Sequence, residues 1–130
     1  MTESIKKKSV IYIEDNLANL KLVEQILAKL DNVEFHSAPN GVLGINLAQT
    51  YKPSLLIVDI NLPGMSGLEI VKAIKESPEL RHIPCVALSA NVMPTDMEKG
   101  REAGFDDYLT KPVDVIRLLE VVQRYTTMSE

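Results

Sequence analysis

Leu55-Leu56-Ile57-Val58 is a run of apolar residues that ends in a single carboxylate, Asp59, followed by Ile60-Asn61-Leu62 and a Pro63-Gly64 turn. An aspartate in such a place most often starts a loop or caps the next helix. Here the ends of other apolar runs carry groups that complement it. Glu14-Asp15 follow Ser9-Val10-Ile11-Tyr12-Ile13, Ser89 follows Cys85-Val86-Ala87-Leu88, and Lys111 follows Asp107-Tyr108-Leu109-Thr110. Three carboxylates brought to one edge repel each other and, unless protonated, need a cation. An all-oxygen ligand set with open positions suits a hard divalent ion such as Mg2+. Magnesium keeps several waters and pairs one or two carboxylates with phosphate oxygens, so such a set is prepared for a phosphoryl group. Lys111 then supplies a compact positive charge for a phosphoryl oxygen that the metal does not reach, and Ser89 a hydroxyl for another. The most central carboxylate, Asp59, is the expected nucleophile, because carboxylates attack phosphorus to give acyl phosphates.

The elements that must bring these residues together alternate in type. Short apolar, β-branched runs predict strands at 9–13, 33–37, 55–58, 85–88 and 107–110. After each of them the pattern changes to a helical one. Leu20, Val23, Ile26, Leu27 and Leu30 follow an Asn16 N-cap, and Leu43, Leu47, Ala48 and Tyr51 follow Pro39-Asn40-Gly41. Ile70, Val71 and Ile74 point inward from a helix that Ser77-Pro78 stops. Pro94 can occupy the first turn of a helix that Gly104 caps, and Val115, Leu118, Leu119 and Val122 share one face of a closing helix. Five strands alternating with five helices call for an α/β unit, a parallel sheet with helices on both faces. In such sheets ligands bind outside the carboxyl ends of the strands, where the winding reverses. That rule gathers Glu14, Asp15, Asp59, Ser89 and Lys111.

With 130 residues the chain is expected to be one domain, with a polar lead-in over 1–8 and a short tail over 127–130. A net charge of −4 argues against a nucleic-acid footprint. Cys85 is the only cysteine and lies in an apolar run, which excludes a disulfide within the chain and predicts a buried, inert thiol. No apolar stretch reaches the roughly 18 residues of a membrane span, so a cytoplasmic protein without membrane association is expected. His36 and His82 lie away from the acidic edge and are expected to have no part in it. Met65 and Met93 are expected to fill gaps or loops.

Together, Glu14-Asp15, Asp59 ahead of Ile60-Asn61-Leu62-Pro63-Gly64-Met65-Ser66-Gly67, Ser89-Ala90 and Lys111-Pro112 resemble the receiver domain of two-component response regulators. The resemblance covers residues 9–126 and is specific, because four motifs occur in the family's order. It implies a flavodoxin-like, doubly wound (βα)5 fold with strand order 2-1-3-4-5. It also implies a phosphorelay switch rather than an enzyme, one that assists only its own phosphorylation and dephosphorylation. On this likeness Asp59 accepts phosphate from a histidine kinase or histidine phosphotransfer protein. Asp15, Asp59 and the Asn61 carbonyl ligate Mg2+, with Glu14 acting mainly through water, and Ser89 and Lys111 hold phosphoryl oxygens. The Lys111-Pro112 bond is expected to be cis. Tyr108 matches the family's aromatic switch position, where the ring turns into space vacated by the hydroxyl residue, here Ser89. The altered surface comprises the fourth helix, fifth strand and fifth helix, through which a downstream protein is bound by a monomer or a phosphorylation-dependent dimer. Asn61 and Asn91 flank the path of the water that hydrolyses the acyl phosphate.

Two positions depart from the commoner family pattern: Glu14 stands where many members have Asp, and Ser89 where Thr is commoner. Both leave rates open. Residues 86–91 resemble the receivers of hybrid sensor kinases, and no output domain is expected in the chain. Other readings compete less well. A flavin binder needs hydroxyls and amides where Glu14-Asp15 stand, and a magnesium-dependent nuclease or topoisomerase-like module leaves Ser89 and Lys111-Pro112 unexplained. A phosphorylation-independent adaptor has no use for so complete an acidic site.

Overall fold

The computed structural model describes residues 7–90 and 93–127. β1 (Lys8–Ile13), β2 (Val33–Ala38), β3 (Leu55–Asp59), β4 (Cys85–Ser89) and β5 (Asp107–Thr110) form one parallel sheet in the order β2-β1-β3-β4-β5. α1 (Leu17–Leu27), α2 (Gly41–Tyr51), α3 (Gly67–Glu76), α4 (Pro94–Ala103) and α5 (Val115–Thr126) follow the strands in turn. Every residue of β3 and β4 is buried, which is why both read as unbroken apolar runs. β2, at the edge, buries only its first and last residues.

Alternate strand residues build two apolar layers. Ile11, Ile13, Leu56, Val58 and Ala87 pack with Ile70, Val71 and Ile74 of α3, and with Ala48 of α2 and Ala103 of α4. Val10, Tyr12, Ile57, Val86 and Leu88 pack on the other face with Val23, Ile26 and Leu27 of α1 and with Leu118, Val121 and Val122 of α5. Each fully buried valine, leucine or isoleucine among them contributes about 1.5 to 3 kcal/mol. From β1 the chain passes through α1 to β2, then returns through α2 to β3 on the other side of β1. The winding therefore reverses between β1 and β3, and a crevice opens at their carboxyl ends.

Local signals fix the helix starts close behind the strand ends. Asn16, Asn40 and Asp114 each accept a backbone N–H of the following first turn, and Ser66 with Glu69 forms a capping box. Pro94 opens α4, and Gly104, at φ 125°, closes it.

Some apolar positions differ from the helical pattern expected of them. α1 ends at Leu27, and Leu30 reaches the α1/α5 layer from the turn beyond, its N–H bonded to the Leu27 carbonyl. In α2 the buried residues are Gly41, Gly44 and Ala48, whereas Leu43 and Tyr51 are exposed. The reason is proximity: a Cβ at Gly44 would lie 2.2 Å from Ile13 Cδ1, so the helix contacts the sheet through its smallest residues. Val115, in the first turn of α5, is also exposed, while Leu118 and Val122 are buried as expected.

Candidate metal centre and its surroundings

β1 and β3 are paired with Ile13 opposite Val58, so Glu14 and Asp15, which follow β1, meet Asp59, which ends β3. One carboxylate oxygen from each of Glu14, Asp15 and Asp59 falls within 4.8 Å of the others. Glu14 and Asp59 are only 2% and 3% exposed, and Asp15 is on the surface. Lys111 arrives from the end of β5 and sets its Nζ 3.1 Å from Asp59 Oδ2 and 3.7 Å from Glu14 Oε1. Its backbone N–H donates to the Ser89 carbonyl at 3.0 Å, tying the β5 loop to the end of β4, and the Lys111-Pro112 peptide is cis.

Three carboxylates against one ammonium leave two negative charges when all are ionised, in a place where two of the acids are nearly out of water. Such a donor set fits a hard divalent cation. Asp59 Oδ1 accepts the Asn61 N–H at 3.0 Å, which wraps the following loop around the carboxylate and leaves Oδ2 facing Lys111. The Asn61 side chain is exposed.

Glu14 is engaged at both oxygens. Oε1 accepts the Tyr12 hydroxyl at 2.5 Å, and Oε2 accepts the Asn16 N–H at 3.2 Å. Burial pushes the Glu14 carboxyl above its usual range, and Asp59 pushes the same way, while the Tyr12 hydroxyl opposes them. Burial, and then the Glu14 carboxylate, push the Tyr12 phenol far up, so it remains a donor at neutral pH. Tyr12 is a site residue inside an apolar run, and nothing in the run itself marks it out. The signal was its spacing from Glu14, since residues two apart on a strand share a face.

Ser89 and Tyr108 lie beside this cluster. Ser89, 2% exposed, ends β4. The Tyr108 ring is half-buried and edge-on to Phe105, and its hydroxyl donates to the Asp96 carbonyl on α4 at 2.9 Å. Between them is a cleft of about 110 Å³ bordered by Asn61, Ser89, Asp96 and Tyr108. The ring lies against α4 because residue 100 is glycine: a Cβ there would fall 2.0 Å from the Tyr108 hydroxyl oxygen. Asn91, expected near the path of the hydrolytic water, lies outside the described residues.

The remaining candidates stand away from the cluster. His36 stacks on Tyr51 with ring centroids 3.9 Å apart, and His82 is exposed in the turn before β4. Cys85 is buried and its thiol is pushed up to about 12, chiefly by burial. Met65 packs against the α3 layer, and Met93 is exposed. Among the described residues no helix is long and apolar enough to cross a membrane.

Residues 10–123 match the family model described as response regulator receiver domain. The chain is 39% identical over 118 residues to the polar-differentiation response regulator DivK of Brucella anthropi, covering 91% of this chain and 95% of that protein. Among solved structures it is similar to the receiver domain of the sensor histidine kinase PA1611 from Pseudomonas aeruginosa, which has a magnesium ion coordinated in its active-site cleft. That likeness has a TM-score of 0.84 at 26% identity and covers 94% of this chain and 99% of that one. The chemotaxis response regulator CheY4 of Vibrio cholerae is similar with a TM-score of 0.85 at 26% identity, over 92% of this chain and 99% of that one.

Proposed function

We propose, for a chain that belongs to the response regulator receiver domain family, that Asp59 accepts a phosphoryl group from a phosphohistidine and that the unit over 9–126 acts as the switch of a two-component phosphorelay. The observation that carries this reading is the environment of Asp59: a nearly buried carboxylate at the reversal of a parallel sheet, with Asp15 and Glu14 within metal-sharing distance and an ammonium 3.1 Å from Oδ2. An oxygen of Asp59 attacks phosphorus as the bond to the imidazole nitrogen breaks. The imidazole departs with the electron pair and takes up a proton from solvent, leaving an acyl phosphate on Asp59. Lys111 receives one phosphoryl oxygen and Ser89 another. Asp15, Asp59 and the carbonyl of Asn61 would hold Mg2+, with Glu14 contributing through water. Bound there, the ion neutralises charge on the phosphoryl oxygens. Asn61, on the rim, tunes the lifetime of the phosphorylated state.

The new group adds about 1.5 to 2 negative charges beside Ser89 and Lys111. Drawing the Ser89 hydroxyl toward it opens room that the Tyr108 ring can fill. The cleft shared by Ser89 and Tyr108 supports that coupling. Arg117 and Arg124 of α5 both pair with Asp107 of β5, and Tyr108 of β5 donates to the Asp96 carbonyl of α4, which favours a response in which α4, β5 and α5 change as one surface. That surface would bind a downstream protein in the cytoplasm, from a monomer or a phosphorylation-dependent dimer. The test is phosphotransfer from candidate histidine kinases and histidine phosphotransfer proteins. The expected result is acid-stable, base-labile label on the wild-type chain and none on Asp59→Asn; label that survives the substitution overturns the assignment.

A further inference from the structure

Tyr12 is fully buried, its ring inside the α1/α5 layer, yet its hydroxyl reaches Glu14 Oε1 at 2.5 Å. The other oxygen accepts the Asn16 N–H. Glu14 is thereby tied to the strand behind it and to the helix start ahead of it. Lys111 Nζ has two carboxylates within reach, Asp59 Oδ2 at 3.1 Å and Glu14 Oε1 at 3.7 Å, and the Glu14 oxygen that faces it is the one the phenol engages. A carboxylate oxygen can accept more than one donor, but a short phenol contact offsets part of its charge and fixes where it lies.

We propose that Tyr12 is a positioning residue of this site: by engaging Glu14 Oε1 it holds that carboxylate in place and leaves the Lys111 ammonium to Asp59. The proposal rests on the reading of Asp59 as phosphoryl acceptor, since that is where Lys111 is needed. Without the phenol, a nearly buried carboxylate lacks one donor, and the nearest replacement is Lys111. The ammonium then moves toward Glu14, and the phosphoryl oxygen loses its partner. Glutamate rather than aspartate at position 14 belongs to the same arrangement, because a side chain shorter by one carbon–carbon bond, about 1.5 Å, withdraws the carboxylate from the phenol.

The test compares the wild type, Tyr12→Phe, Glu14→Asp and the double variant, each checked for folding by thermal melting. Two quantities are read: the Mg2+-dependent affinity for beryllofluoride, a phosphoryl mimic, and the NMR signal of the Lys111 side-chain ammonium. Tyr12→Phe is expected to shift the Lys111 signal and to weaken beryllofluoride binding about tenfold, the scale of one charge-assisted hydrogen bond. In the Glu14→Asp background the same substitution should change affinity by less than about twofold, because the phenol no longer has its partner. If the wild type takes up beryllofluoride and Tyr12→Phe binds it equally well with Lys111 unmoved, the positioning role is overturned while the acceptor reading stands. A loss that persists in full in the Glu14→Asp background also overturns it, because the phenol is then acting by another route. Failure of the wild type to take up beryllofluoride overturns both readings together.

Discussion

Gly100 is where α4 makes room for Tyr108, and replacing it with alanine tests the coupling between ring and phosphoryl site. A Cβ there would lie 2.0 Å from the Tyr108 hydroxyl oxygen and 2.6 Å from two ring carbons. The atoms in the way are the far end of a side chain, so the ring turns rather than the sheet shifting, and the cleft beside Ser89 is one of the two open spaces it borders. Two effects on stability oppose each other. Alanine is favoured over glycine in a helix interior by about 1 kcal/mol, and loss of the hydrogen bond to the Asp96 carbonyl costs about 0.5 to 1.5 kcal/mol. Thermal stability should therefore change little. The hydrogen bond belongs only to the outward ring, so losing it shifts the ring inward by a factor of about 2 to 13. If an inward ring and a displaced Ser89 are one state, affinity for beryllofluoride with Mg2+ rises by up to that factor. Calorimetric titration measures the affinity and ring NMR of Tyr108 reports the displacement. A ring that has demonstrably moved, in a protein whose beryllofluoride affinity is unchanged or lower, would rule out the coupling.

Gly67 is less forgiving: a Cβ there meets main-chain atoms, Ile60 Cα at 2.7 Å and the Asp59 carbonyl oxygen at 2.9 Å. Gly67→Ala should cost about 1 to 3 kcal/mol in chemical denaturation and weaken Mg2+ binding by displacing Asp59. Lys111→Ala removes the ammonium between Glu14 and Asp59; denaturation in chelator should show a loss of about 1 to 3 kcal/mol, with Mg2+ restoring more stability to the variant than it adds to the wild type. The Cys85 thiol, raised from 9.0 to about 12 by burial, stays protonated in the folded chain while the unfolded chain ionises. Its contribution is whole below pH 9.0 and is lost as pH rises from there toward about 12, with a slope of at most about 1.4 kcal/mol per pH unit. Cys85→Ala should show a shallower alkaline decline in melting temperature, and the native thiol should resist thiol reagents at neutral pH.

Asp15, Asp59 and Lys111 could be grouped from the sequence because each ends or follows a recognisable strand, and parallel sheets bring strand ends to one edge. The sheet order and the cis bond at Lys111-Pro112 followed from the family likeness, and both are present. The Tyr12 contact was hidden because its ring satisfies the apolar pattern of β1 while only its hydroxyl reaches the acids. Tyr51 and Leu43 looked like core residues on periodicity. Their exposure depends on how closely Gly41 and Gly44 let α2 approach Ile13 and Ile70, which no helical repeat encodes. Nor does a helical repeat encode the contact of Lys75, whose ammonium donates to the Ile83 carbonyl, eight residues on, at 2.8 Å.

The hydrogen bond from the Lys111 N–H to the Ser89 carbonyl joins the two residues proposed to grip the phosphoryl group, one through its ammonium and one through its hydroxyl. If both residues hold the phosphoryl group, this link couples the ends of β4 and β5, and the pair would respond most fully when both are engaged at once. A small anion that settles on the ammonium alone meets only half of the condition. A tetrahedral group fixed to Asp59 can present two oxygens at once, so the chain would discriminate a covalent signal from the background of cellular anions by geometry rather than by charge.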